Sequence, residues 1–401
     1  MSVVLQMTPL DPLVARDGRP FGARQGNRMR GLPWPLPSVV AGSFRTALVK
    51  SSAGLDFSGR IPQRLMQIAV AGAFPVYGGG LYLPAPNDAV AEPNENGKEI
   101  KRLHRVVPQP ITGGCDLSED GLQPVMLSES QARKDFKPAQ VPAWWPVGKY
   151  AEWLLGNEVC FDSSFLHNPI QETRDHVSLE AERGAAAEAQ IFATAGLNMT
   201  HLPRFDVDGS RPVHKRLAEI TLSSRITIPA SETALTIAQQ FAIWHPLGGE
   251  RRMVHWQQVE AQPTGWNCPA TIRSTLATAT KVRMVLATPA VFKDGWKPGW
   301  LTNGREGALS GVKLKLVGAS IGRWKAVSGW SLARINDEGQ IDPSGKPGPK
   351  PIRRMVPAGS VYFFECEQGA AGTLADLWLH SVSDDPQEQR DGFGLATWGT
   401  W

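Results

Sequence analysis

The sequence has only four cysteines, Cys115, Cys160, Cys268 and Cys366, spread along 401 residues. No two are close enough for a Cys-x-x-Cys zinc or redox site, and none belongs to a dense disulfide scaffold, so reduced thiols are expected. No apolar run approaches the ~20 residues needed to span a bilayer. Met1 to Asp17 holds no basic segment followed by an apolar one, which predicts no signal peptide and a cytoplasmic protein. A Walker lysine loop and a His-Glu-x-x-His pair are missing. Gly392-Phe393-Gly394 lacks the third glycine and the βαβ context of a dinucleotide fingerprint. No pair of carboxylates stands out for acid–base work. His245 and His255 flank one glycine loop but have no third ligand, so no metal and no cofactor is expected.

What is abundant is glycine (40), proline (32) and tryptophan (14). The first two predict many turns and few long helices. Apolar residues make up 42% and charged residues 20%, a globular composition large enough for two domains. The net charge of +4 says little by itself, but the cations cluster. Arg16, Arg19, Arg24, Arg28 and Arg30 face one acid, Asp17. Lys98, Lys101, Arg102 and Arg105 face Glu99, and Lys346, Lys350, Arg353 and Arg354 face none. Three such stretches suit one basic groove or three solvated loops equally well.

Periodicity orders the first half as strand, helix, strand, strand, helix, strand. Val3–Met7 reads as a strand, followed by a long Pro/Gly/Arg loop. A helix from Ser38 carries the stripe Val40, Phe44, Ala47 and Leu48, with Arg45 off that stripe. Phe74–Leu83 reads as a strand, 84–146 as a large insertion or mobile arm, and 176–201 as a hairpin. Ile220–Ile228 is a strand, Ser231–Trp244 a helix and Arg252–Val259 a strand. This is an α+β order of the split βαβ, ferredoxin-like kind. From about Gln262 a second domain of the same class is expected, giving units 1–262 and 263–401. Most tryptophans are expected to be buried.

Two motifs invite opposite readings. Gly318-Ala319-Ser320-Ile321-Gly322 matches a nucleophile elbow, with Asp376 and His380 in hydrolase order. The lysines at 313 and 315, however, do not suit a central parallel strand. Gly248-Gly249-Glu250-Arg251-Arg252 combines a backbone open to close approach with two cations, as a phosphate-binding loop requires, and equally suits a helix end followed by a surface strand.

An ordered motif series runs through most of the chain. It begins with Pro9-Leu10-Asp11-Pro12-Leu13 leading into Arg16-Asp17-Gly18-Arg19-Pro20-Phe21. Next come Leu32-Pro33-Trp34-Pro35, Phe44-Arg45-Thr46-Ala47-Leu48 and Gly248-Gly249-Glu250-Arg251. Leu286-Ala287-Thr288-Pro289-Ala290-Val291-Phe292, Ser328-Gly329-Trp330, Val356-Pro357-Ala358-Gly359-Ser360 and Gly392-Phe393-Gly394 complete it. In this order the chain resembles the third RAMP subunit of type III-B (Cmr) CRISPR effector complexes. The glycine motif at 392–399 is shorter than the usual RAMP loop.

The resemblance implies two ferredoxin-like (RRM-like) domains with long loop insertions. It also implies a non-catalytic subunit that grips the 5′ handle of a guide RNA and docks onto the large polymerase-like subunit and the first backbone subunit. The RNA-binding residues expected on this reading are Arg16, Arg19, Arg45, Gly248, Gly249, Arg251, Arg252, Gly392 and Gly394. Arg24 and Arg28 reach RNA or a partner. The competing readings are a metal-independent endoribonuclease using His104 or His176 and a serine hydrolase using Ser320.

Overall fold

In the computed structural model, the residues described are 2–17, 27–52, 57, 61–95, 100–111, 121–127, 136–205, 217–232, 235, 237–238, 240–331 and 348–401. Two antiparallel sheets dominate them. The first runs Ala242–Pro246, Met253–Gln258, Ser2–Pro9, Thr221–Thr227, Ala69–Tyr77, Gly80–Pro84 and Trp144–Pro146 in spatial order. The second runs Glu306–Leu309, Val312–Ser320, Val361–Gln368, Lys281–Leu286, Leu395–Thr400 and His380–Ser381. Strands predominate and helices are few, giving a mixed α/β chain.

The helix Pro37–Ser51 covers the first sheet. It starts at Pro37 rather than Ser38: Leu36 is the extended N-cap, and Pro37 has the fixed φ that suits a first helical position. Val40, Ala41, Phe44, Ala47 and Leu48 are buried as the stripe predicts.

The helix expected from Ser231 to Trp244 does not form. The described residues of 229–241 are turns and irregular chain, and Ala242–Pro246 is a strand. Leu235, Ile237 and Phe241 are still buried, so the apolar spacing reflects packing of an irregular segment. Ile243 and Trp244 then pair with Trp256 and His255 across a hairpin.

The segment 84–146 is not an arm in its described parts. Asn87 donates its N–H to the Gly359 carbonyl (2.7 Å) and Gln123 to that of Val317 (2.8 Å), so it is sewn to the second sheet. The helix Val147–Leu154 follows directly from the last strand of the first sheet, and its Tyr150 hydroxyl lies 2.8 Å from Thr397 Oγ1 of the second. A single apolar core therefore runs through both sheets.

Between the sheets lies a fully buried ion pair, Asp88 with Arg283. Trp153 Nε1 donates to Asp88 Oδ1 (2.8 Å), and Arg283 also donates to the Trp153 carbonyl. Arg105 stacks 3.9 Å above the Trp153 ring and bonds the carbonyls of Trp153, Gly156 and Asn157. Burial, then the charge of Arg283, pulls Arg105 down to about 10.

Candidate nucleic-acid interface

The loop that leaves the first strand is threaded between two hairpins. Leu10 donates to the Met253 carbonyl (3.0 Å), and Leu13 exchanges backbone bonds with Leu197 (2.9 and 2.7 Å). Leu197 ends the long hairpin Gln171–Leu179/Ala186–Leu197, a hairpin as read from the sequence but beginning at Gln171 rather than His176 and ending at Leu197 rather than His201. One step further, Gly249 donates to the Val14 carbonyl (2.8 Å), closing a bridge between the loop and the 242–258 hairpin. Ala15 accepts from Leu32 (2.8 Å), and Arg16 sits opposite Gly31.

The approach at Val14 requires Gly248. Its φ is +80°, and a Cβ there would lie 2.5 Å from the Val14 oxygen. Glu250 and Arg251 follow with positive φ, 57° and 50°, a local strain of the kind that clusters at functional sites.

The outcome is an exposed group of cations on interleaved backbone: Arg16, Arg30 and Arg251, with Glu250 beside them. Arg252 is half-buried, and its Nε is shielded from solvent without an acceptor. Trp244 is 49% exposed on the same hairpin, its ring centroid 4.7 Å from that of His255. Such a surface can bond phosphate oxygens and stack one base or sugar. Reading Trp244 as part of a helix hid its exposure, and the run Ala242-Ile243-Trp244-His245-Pro246 carries no polar–apolar alternation that would have shown it.

Arg16, Gly248, Gly249, Arg251 and Arg252 are thus brought together. Arg19 and Arg24 lie outside the described residues, and of Arg28 only the backbone is described, in a short strand beside Ala193.

Arg45 is a correction. Its guanidinium is buried, 2.6 Å from Asp391 Oδ1, and donates to the Ile68 carbonyl at 2.7 Å. The helix that carries it is covered on a second side by the helix Pro386–Asp391, so the Arg45 side chain faces protein.

Gly392 and Gly394 are corrected too. Both are buried; Gly392 caps Pro386–Asp391 in the left-handed conformation, and Gly394 donates to the Pro289 carbonyl at 2.7 Å. They join elements of the fold rather than present a loop to solvent. In the stretch 98–105, Arg102 pairs with Glu158, Lys101 with Glu92 (3.5 Å), and Arg105 is turned onto Trp153.

The residues of the competing readings are tied elsewhere. Ser320 ends an antiparallel strand and donates to the Asn87 carbonyl (2.9 Å), a geometry unlike a strand-to-helix elbow. His104 Nε2 lies 2.6 Å from Glu92, and His176 Nε2 lies 2.8 Å from Thr194 Oγ1. Among the described residues no three His, Cys, Asp or Glu groups could hold a metal ion, and no helix is long and apolar enough to cross a membrane.

His167 and His245 are held below the ordinary histidine value chiefly by burial, and His380, though solvent-exposed, by partial desolvation and the nearby Arg225 charge. Their protonation favours the unfolded chain, so this contribution to stability is present above the unfolded value of 6.5 and is lost as pH falls. The thermal midpoint is expected to drop when pH is lowered from about 7.5 to about 5.5. A His167→Gln/His245→Gln/His380→Gln variant should drop less over the same interval. Equal drops would show that other groups set the acid limb.

Comparison with known proteins adds three structural neighbours. One is a chain of the type III-B Cmr-β bound to cognate target RNA and AMPPnP, with 14% identity, 90% of this chain and 86% of that one covered, and TM-score 0.41. Another is a chain of the type III-B Cmr-β bound to cognate target RNA, with 13% identity, 98% and 96% covered, and TM-score 0.43. The third belongs to the Csm3-Csm4 subcomplex of the type III-A CRISPR-Cas interference complex, with 9% identity, 90% and 92% covered, and TM-score 0.36. No curated relative matches. Residues 5–401 match the family described as CRISPR-associated protein (Cas_Cmr3), and the chain belongs to that family.

Proposed function

We propose that this chain is a non-catalytic RNA-binding subunit of a type III-B CRISPR effector complex. It caps the 5′ handle of the guide RNA and docks onto the large polymerase-like subunit and the first backbone subunit. Family membership supports the place in the complex. The observation that carries RNA binding is the Val14–Gly249 bridge, which sets Arg16, Arg30 and Arg251 around a strained backbone turn beside exposed Trp244.

The strand orders support two ferredoxin-like units, 1–262 and 263–401. In the first sheet, Met253–Gln258, Ser2–Pro9, Thr221–Thr227 and Ala69–Tyr77 stand as fourth, first, third and second in chain order. In the second, Leu395–Thr400, Lys281–Leu286, Val361–Gln368 and Val312–Ser320 repeat that order. Each unit departs in one crossover: an irregular segment replaces the second helix of the first, and 287–305 replaces the first helix of the second.

The test is binding of a guide RNA with its 5′ handle against the same RNA without it, at two salt concentrations, with and without the large subunit. Handle-dependent, salt-sensitive binding strengthened by the large subunit is expected. Arg251→Ala/Arg252→Ala should weaken it and reduce the salt slope by about 0.7 per lost phosphate contact. Equal binding to both RNAs would reduce the interface to a generic basic surface.

A further inference from the structure

A second ribbon, Lys325–Val327 paired with Arg353–Met355, lies outside the interface above. Its register sets Lys325 opposite Met355, Ala326 opposite Arg354 and Val327 opposite Arg353. Alternation then divides the ribbon into two faces. Val327 and Met355 are buried with Leu36, Val291 and Phe393. Trp324, Ala326, Arg354 and Ile352 belong to the other face.

That face is unusual in two respects. Trp324 is 53% exposed and Ile352 74%, and among the described tryptophan side chains only Trp244 is also exposed. The Arg354 guanidinium lies 5.1 Å from the centroid of the Trp324 ring, a diagonal cross-strand contact. Arg323 and Lys325 are exposed beside it, and Lys350 is half-exposed. Residues 321–331 and 348–356 contain no Asp or Glu. Among the described residues, Arg353 is neutralised by the buried Glu388 of the helix Pro386–Asp391.

A lone exposed tryptophan needs no explanation. An exposed tryptophan among cations on acid-free strands is the composition of a single-strand binding surface, in which aromatic rings stack bases and cations follow the backbone. We propose that this ribbon is a second RNA contact: Trp324 stacks on an unpaired base, while Arg354 on the same face contacts a flanking phosphate. The proposal rests on the reading of the chain as an RNA-binding subunit and adds a contact on its C-terminal half.

The experiment compares two probes on the full chain: a single-stranded oligouridine of about 20 nucleotides, long enough to span several stacking contacts, and an abasic strand of equal length and charge. Trp324→Ala should weaken oligouridine binding about tenfold and leave the abasic strand unaffected, whereas Trp324→Phe should retain most of the affinity. Arg354→Gln should lower the salt slope for both strands by about 0.7. Both side chains replaced are on the exposed face, so thermal midpoints should match the unaltered chain.

If Trp324→Ala binds both strands as the unaltered chain does while Arg251→Ala/Arg252→Ala weakens binding, the ribbon is not an RNA contact and the proposed function stands. If the unaltered chain binds neither strand, both readings fall. Unchanged RNA affinity with loss of another subunit on co-purification would assign the ribbon to a protein partner and overturn the proposal.

Discussion

Asp88→Ala is expected to lower stability by about 3–5 kcal/mol, measured as a shift of the denaturant midpoint. Both Asp88 and Arg283 have side chains with no solvent exposure. Removing the carboxylate leaves a guanidinium where water cannot reach it, and also strips Trp153 Nε1 of its acceptor. The remaining partner of Arg283, the Trp153 carbonyl, is neutral and cannot balance the charge. The double variant Asp88→Ala/Arg283→Met should recover much of the loss, because it removes the stranded charge as well as its partner. A midpoint unchanged in Asp88→Ala would mean that Arg283 finds water or another acceptor, and that the two sheets are not held through this pair.

Gly392→Ala is the second large effect, about 2–4 kcal/mol. The φ of +89° disfavours any L side chain, and a Cβ would run into the Val70 carbonyl oxygen on the first sheet. Because Asp391 precedes it, relief by backbone movement would also disturb the pair with Arg45. Gly148→Ala is the matched control. Gly148 lies in the helix Val147–Leu154 with open space where a Cβ would go, so alanine there should be neutral or stabilising. Equal effects at the two positions would refute the close approach at Val70. A thermal melt of each single variant suffices.

The helix Pro37–Ser51 and the long hairpin were legible in the sequence because their signals are local: a 3–4 apolar spacing, and two strand-like runs around an Ala/Glu-rich link. Arg45 was misread because its partner stands 346 positions away. A cation off the apolar stripe looks solvated until the second layer that covers it is known.

The stripe Ala234, Ile237, Ala238 and Phe241 imitated a helix. Apolar anchors in an irregular segment can share its spacing, and the hairpin closed at Gly248 won the next residues for a strand. Gly392 and Gly394 show a different limit. The same residue type serves close approach to a ligand and close approach to one's own backbone, and only the neighbouring atoms distinguish them. The cluster of Arg16 with Gly248–Arg252 was legible as residue types, but not as one place, because the Val14–Gly249 bridge is a tertiary contact.

The inner position of Ser2–Pro9 has a consequence for synthesis. Its two neighbours, Thr221–Thr227 and Met253–Gln258, are more than two hundred residues downstream; Ser223 bonds Leu5 across a separation of 218. At ribosomal speeds of about 5–20 residues per second, this apolar strand leaves the exit tunnel roughly ten to forty seconds before either neighbour exists. Throughout that interval both its edges lack their native partners, and only the helix Pro37–Ser51 is available to cover its apolar face. Holdase chaperones present during that interval are therefore expected to raise the share of newly made chain that escapes aggregation.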